Sequence, residues 1–121
     1  MENSSSSDQP VAGEPPISRV VVLDTPVPLK PTTRVEVRRI TIQPGFALGF
    51  HLHNCPVFGT IESGSVIFQL EGEPASVLKP GDVFYEPEGT LVRFDATDEG
   101  TTFLGYFLLG DGQQAEINMP S

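Results

Sequence analysis

The 121-residue chain lacks the features of several large protein classes. It has a single cysteine, Cys55, so no intrachain disulfide can form. It has no run of about 18 apolar residues, so no segment is expected to span a bilayer as a helix. Its first residues, Met-Glu-Asn-Ser-Ser-Ser-Ser, lack the basic and apolar regions of a signal peptide. These absences predict a soluble protein of a reducing compartment, the cytoplasm.

Basic residues are also scarce. Seven Lys and Arg stand against 16 Asp and Glu, and the formal net charge is −9. Such a charge repels phosphate backbones and anionic lipid surfaces at long range. We therefore expect neither nucleic acid nor a membrane as a partner.

Helical periodicity is absent, because no stretch has apolar residues at i, i+3, i+4 and i+7 for three turns. The 12 glycines and 12 prolines instead divide the chain into strand-length pieces at intervals of about 8–12 residues. A chain of this length has room for one domain. These features predict an all-β fold, closed into a barrel so that few sheet edges stay exposed.

The N-terminal residues 1–16 are rich in Ser, Pro, Gly and acids. They contain too little apolar surface to offset the entropy cost of ordering them. We predict a disordered tail at 1–16 and a single barrel domain at 17–121. The run Arg19–Leu23 is strand-like, and the three prolines that follow it predict an extended segment along a sheet edge.

Turn-forming residues predict where the later strands end. We predict one turn at 63–64 and another at 98–100, each separating two strands. The last strand contains the run Phe103–Leu109, which is apolar on both faces. A strand of this kind suits burial against a second subunit as well as its own core, so a homodimer is expected.

His51 and His53 are the strongest candidates for chemistry. In a strand, residues i and i+2 point to one face, so both imidazoles face the same way. Two such histidines can chelate one divalent transition metal, although a catalytic site generally needs a third protein ligand. The alternative is a pair of pocket-lining histidines without a metal, hydrogen-bonded to neighbours or to an anionic ligand.

Cys55 is a candidate third ligand. Residue 55 falls on the same face as the histidines if the strand continues straight, and a thiolate binds zinc, copper or iron well. Asn54 and Pro56 favour a turn instead, in which Cys55 is a small loop or core residue. Both interpretations stay open at this point.

The residues around the histidines resemble the two sequence motifs of the cupin superfamily. The first motif is matched in order and spacing by Gly45, His51, His53 and Gly64. The second is matched by Gly81, Pro87 and Gly89. The resemblance covers most of residues 33–109. It implies a double-stranded β-helix, or jelly-roll barrel, of the conserved-barrel cupin 2 type, with a central small-molecule pocket.

In that family, a glutamate and a third histidine complete the metal site. The position of the glutamate is Val57 here, and that of the histidine is Val92. Valine cannot coordinate a metal, so the resemblance implies a degenerate site with two histidines and an apolar wall. The residues expected around the ligand pocket are Val57, Val92, Phe94, Tyr85 and Glu86.

Two of these pocket residues offer polar groups. Glu86 ends a strand just before Pro87, where a carboxylate can act as a base or ligand, and a solvated surface acid is the alternative. Tyr85 can present a hydroxyl group to a bound molecule or pack in the core. Arg39 and Arg93 favour a carboxylate-bearing ligand if they face the pocket, and pairing with nearby acids is the alternative.

These features predict a protein that binds a small organic molecule in an apolar pocket, with one divalent transition metal or none. The alternative is an enzyme in which a two-histidine metal, or a histidine base, catalyses isomerisation, cyclisation or oxidation of a small hydrophobic metabolite. No catalytic residue is assigned from the sequence. A purely structural module is least favoured, because it leaves the paired histidines without a role.

Overall fold

The computed structural model describes residues 15–119. Within that range the chain forms seven β-strands and no helix, so the predicted all-β class is confirmed. No helix of residues 15–119 is long and apolar enough to cross a membrane. The strands are β1 (Arg34–Ile42), β2 (Phe50–His53), β3 (Val57–Leu70), β4 (Ser76–Leu78), β5 (Val83–Glu86), β6 (Val92–Leu109) and β7 (Ile117–Asn118).

Two long strands, β3 and β6, run antiparallel along most of their length. The first half of β3 also pairs with β5, and its second half pairs with β4. The start of β6 pairs with β2, its end pairs with β1, and β7 pairs with β2. Each long strand therefore pairs with different short strands along its two halves, consistent with the jelly roll that the cupin resemblance implies.

Both long strands bend where the sequence predicts turns. β3 continues through Gly64 and β6 continues through Gly100, with register shifts on either side of Gly64. Gly64 has a φ of 72°, and a Cβ atom there would collide with the Gly100 carbonyl oxygen. The predicted strand ends at 63–64 and 98–100 are wrong, because close approach of two glycine backbones lets the ladder continue through a bulge.

Aromatic rings fill one end of the barrel, which we call the closed end. Its buried core consists of Ile61, Val66, Phe84, Phe94 and Phe103. The ring centres of Phe94 and Phe103 lie 4.6 Å apart, and those of Phe84 and Phe94 lie 5.0 Å apart. These are distances at which tilted aromatic pairs pack favourably, so this end has a continuous core.

A second, smaller core cluster defines what we call the open end. It consists of Cys55, Val57, Phe107 and Leu109, all of them buried. The Phe107 ring packs against His53 with 6.1 Å between ring centres. A cavity remains between this cluster and the closed end, and it is described below.

The segment before β1 forms no strand between residues 17 and 33. The strand interpretation of Arg19–Leu23 is therefore wrong: the segment joins no ladder, and the prolines that follow it lack the N–H groups that a ladder needs. Leu23 lines a surface pocket together with Phe58 and Tyr106. Most of the tail predicted at 1–16 lies outside the described residues.

Candidate functional site

Three potential metal ligands converge inside the barrel. His51 and His53 come from β2, and Glu86 comes from the end of β5. Their ligand atoms all lie within 4.8 Å of one another. The two imidazole ring centres are 5.1 Å apart, so the histidines share a face as strand alternation predicts.

Glu86 reaches this cluster because of strand register. β5 pairs antiparallel with β3, and Glu86 lies directly opposite Val57. Alternation along β5 turns Phe84 and Glu86 inward, and both are 3% exposed. The alternative of a solvated Glu86 is therefore excluded.

Hydrogen bonds orient the cluster. His53 Nε2 lies 2.8 Å from Glu86 Oε1. His51 Nδ1 lies 2.9 Å from the carbonyl oxygen of Gly49. A carbonyl oxygen can only accept, so Nδ1 of His51 donates; in the neutral ring, Nε2 then has the lone pair that a metal requires.

The donor set suits a divalent transition metal. Two imidazoles and one carboxylate are the ligands of many non-haem iron sites, and zinc accepts the same groups. Ligand atoms about 2.0–2.2 Å from a metal and at right angles lie about 3 Å from each other. The 2.8 Å separation between His53 Nε2 and Glu86 Oε1 is close to that value, and all three ligand atoms lie within 4.8 Å of one another. His51, His53 and Glu86 would hold such an ion.

A cavity of about 220 Å³ lies beside the cluster. His51, His53 and Glu86 are the polar residues that line it, and the other lining side chains from residues 15–119 are apolar. A cavity of about 150 Å³ accommodates benzene. This one therefore fits an organic molecule of that size or slightly larger.

The sequence of the barrel matches a known family. Residues 38–104, more than half of the chain, match the family model of the cupin domain. The chain belongs to the cupin family. A comparison with curated proteins finds no match.

Solved structures with the cupin fold are similar to this chain. The DMSP lyase DddQ from Ruegeria pomeroyi DSS-3 has a TM-score of 0.61 at 22% identity, covering 68% of this chain and 42% of that one. A cupin-like protein from Thermotoga maritima has a TM-score of 0.61 at 26% identity, covering 72% and 65%. An oxalate oxidase in complex with the substrate analogue glycolate has a TM-score of 0.57 at 20% identity, covering 69% and 44%. This cupin spans less than two thirds of each structure.

The predicted pocket residues of this cupin divide into two groups. Val57, Phe94 and Glu86 line the cavity. Val92 and Tyr85 are not among its lining residues: Val92 is fully buried and lies directly opposite His51 in the ladder, on the same inward face. The Tyr85 ring stacks on Phe58 with 4.6 Å between ring centres, because alternation along β5 turns it outward. Partial burial raises the pKa of Tyr85.

Cys55 lies outside the ligand cluster. β2 ends at His53 and the chain bends at 54–55, so residue 55 does not continue the face of the histidines. Cys55 is fully buried in the open-end core. Burial raises the pKa of its thiol, which disfavours the thiolate that a metal needs. The structure supports the turn interpretation over the ligand interpretation.

The two arginines considered for the pocket pair with acids instead. Arg93 Nε donates to Asp95 at 2.7 Å, and Arg39 Nε donates to Glu62 at 2.9 Å. The hydrogen bond from Arg39 lowers the pKa of Glu62. The ion-pair interpretation is therefore confirmed for both arginines.

The contribution of β7 to the site had no clear signal in the sequence. Ile117 lies opposite His53 in the β2–β7 ladder and lines the cavity. The side chain of Asn54 holds this segment, accepting from the Glu116 N–H at 2.9 Å and donating to the Gln114 carbonyl oxygen at 2.8 Å. A two-residue strand is too short for an alternating pattern to be recognised.

Proposed function

We propose that this cupin binds one divalent transition metal through His51, His53 and Glu86, and holds a small, largely apolar organic molecule beside it. The observation that carries the proposal is the convergence of three ligand atoms within 4.8 Å on the wall of an otherwise apolar cavity. A buried carboxylate is costly unless it is paired or coordinates a metal, so its placement there supports a binding role.

The residues of the site have different roles in this proposal. The Gly49 carbonyl oxygen fixes the ring of His51, and Glu86 accepts a hydrogen bond from His53 when that ring carries a proton on Nε2. A bound metal would supply Lewis acidity toward a coordinated oxygen of the ligand. The apolar walls exclude water and thereby strengthen every electrostatic interaction inside.

An enzyme that uses the same residues is the second candidate. The contact between His53 Nε2 and Glu86 Oε1 is the arrangement in which a carboxylate orients a histidine for proton transfer. Two solved neighbours are described as a DMSP lyase and an oxalate oxidase. Because those activities differ, the shared fold selects no reaction for this chain. Turnover of a small metabolite that survives in both His51→Gln and His53→Gln would remove this candidate.

Metal content tests the main proposal. Untagged protein purified without chelators, then incubated with iron, zinc, manganese, cobalt, nickel or copper, is expected to retain one equivalent by elemental analysis. Glu86→Gln should lose most of that metal. Glu88→Gln is the matched control, because Glu88 lies two residues away, is exposed and pairs with Lys30 at 2.6 Å. Wild-type protein that retains none of these metals, or Glu86→Gln that retains as much as Glu88→Gln, would overturn the metal assignment.

We also propose that a second copy of the chain covers part of the outer sheet. Val37 on β1 is 52% exposed, and its cross-strand neighbour Tyr106 on β6 is 37% exposed. Apolar side chains in adjacent positions are typical of surfaces that associate. A monomeric mass at micromolar concentration, measured by sedimentation, would count against the homodimer.

A further inference from the structure

A second cavity adjoins the apolar one beside His53. It measures about 240 Å³ and shares four lining residues with the first cavity: Ile40, His53, Phe107 and Ile117. Its other lining residues are Arg38, Ala115 and Glu116. We call this second cavity the vestibule. The two cavities are therefore adjacent, and Ile117, one of the side chains between which they lie, is half exposed.

Of the lining residues of the two cavities within 15–119, Arg38 is the one lysine or arginine. Its guanidinium carbon lies 4.8 Å from the centre of the Phe107 ring. The centre of that ring lies 6.1 Å from the centre of the His53 ring. The guanidinium and the imidazole are therefore separated by no more than the sum of these distances, which a small organic molecule can bridge.

Two contacts hold the guanidinium of Arg38 in place, and its terminal N–H groups remain available as hydrogen-bond donors. Its Nε donates to Glu36, and the Phe107 ring supports it by a cation–π contact. Arg34 contacts the same carboxylate, so two cations share one acid. Among residues 15–119, the side-chain hydrogen bond of Arg38 comes from Nε, and its two terminal nitrogens make none. Glu116, which lines the vestibule with Arg38, is exposed.

We propose that Arg38 binds the carboxylate of the organic ligand, whose apolar part lies in the cavity beside His51, His53 and Glu86. The inference rests on the proposed function, since it names the class of molecule that this site takes: a small monocarboxylic acid with an alkyl or aromatic body. The terminal N–H groups of a guanidinium match the two oxygens of a carboxylate. The apolar lining matches the rest of the molecule.

Paired probes test this assignment. Hexanoate and benzoate are compared with hexan-1-ol and benzyl alcohol by isothermal titration calorimetry, on zinc-loaded and on chelator-stripped protein. Stripped protein separates Arg38 from a metal, which also attracts carboxylates. We expect both acids to bind wild-type protein more tightly than their alcohols in both states, and Arg38→Gln to weaken acid binding about tenfold while leaving alcohol binding unchanged.

The adjacent arginine provides the matched control. Arg39 lies on the opposite face of β1, pairs with Glu62 and has a side chain that is 63% exposed. Arg39→Gln changes the net charge equally and should leave the binding of both acids as in wild-type protein.

The outcomes separate this inference from the metal proposal. If wild-type protein retains no metal after incubation with any of the metals tested, yet prefers the acids in an Arg38-dependent way, the carboxylate assignment is supported and the metal assignment is overturned. Three results would overturn the carboxylate assignment, whatever the metal content. Acid binding could weaken equally in Arg38→Gln and Arg39→Gln, Arg38→Gln could keep the preference for acids, or wild-type protein could bind neither acid.

Discussion

At the closed end of the barrel, three phenylalanine rings and two aliphatic side chains meet between β3, β5 and β6. At the open end, the same long strands contribute Val57 from β3 and Phe107 from β6, and a cavity of about 220 Å³ remains beside them. Both ends are built on the ladder between β3 and β6, whose register shifts on either side of Gly64. The two ends differ in the side chains at a few inward positions.

The volume and polarity of those side chains explain the contrast. Where β5 places Phe84 inward, the ring fills the barrel, and two residues later the same face places Glu86 beside the histidines. Val57, opposite Glu86, is too short to fill the space that this leaves. One barrel topology can thus have a packed core at one end and a ligand-sized cavity at the other.

The largest effect is expected from matched ring deletions at the two ends. Phe84→Ala should lower the free energy of unfolding by about 3–5 kcal/mol, because the ring is packed against aromatic neighbours on several sides. Phe107→Ala should cost about 1–2 kcal/mol less, since its ring already borders two cavities. Urea unfolding followed by circular dichroism measures both.

If either alanine variant fails to fold, Phe84→Leu and Phe107→Leu repeat the comparison with a smaller change of volume. An equal cost at the two positions would show that the open end is packed as tightly as the closed end in solution.

The next prediction concerns a pair of substitutions that move the carboxylate from β5 to the neighbouring strand β3. Glu86→Gln should weaken zinc binding by about 100-fold or more, because even groups that only orient metal ligands are worth about 10–100-fold. The double variant Val57→Glu/Glu86→Gln should regain at least about tenfold of that loss, since residues 57 and 86 are directly opposite in the ladder. Competition with a chromogenic chelator gives the affinities.

The control for this exchange is Val57→Gln/Glu86→Gln, which has the same bulk at position 57 without the charge. Equal zinc affinity in the two double variants would show that the carboxylate at position 86 cannot be replaced from β3, and that the metal proposal depends on a more specific geometry.

The smallest effect concerns the buried thiol of the open end. Burial raises the pKa of Cys55, so the folded protein holds this proton more tightly than the unfolded chain does. The thiol's contribution to stability is complete below the ordinary thiol pKa and is lost as pH rises through the raised value. Wild-type protein should therefore lose more stability between neutral and alkaline pH than Cys55→Ala does, as measured by urea unfolding.

Both proteins in that comparison should also carry Tyr85→Phe. Burial raises the pKa of Tyr85 as well, so its titration would also lower the stability of the fold as pH rises. Equal pH dependence with and without Cys55 in the Tyr85→Phe background would contradict the assignment of a protonated, buried thiol. Cys55 would then again be a candidate metal ligand.

Much of the fold and part of the site could be predicted from the sequence. Periodicity, turn residues and the cupin motifs predicted an all-β jelly roll, and strand alternation predicted that His51 and His53 share a face. Val57, Phe94 and Glu86, which the sequence predicts at a ligand pocket, line the cavity. The turn residues at 63–64 and 98–100 were misread, because a glycine that ends a strand and a glycine that bends one have the same local sequence.

The sequence by itself determined which chemical groups are available: two histidines two residues apart, two valines where the family has ligands, and a glutamate at the end of a strand. Only the tertiary structure decided that Glu86 completes the histidine pair, that Cys55 is excluded from it, and that Arg38 faces the vestibule. The physical reason is register. Residues 53 and 86 meet because β5 pairs with β3 at one particular offset, and a shift of one residue would turn Glu86 to the outside of the barrel.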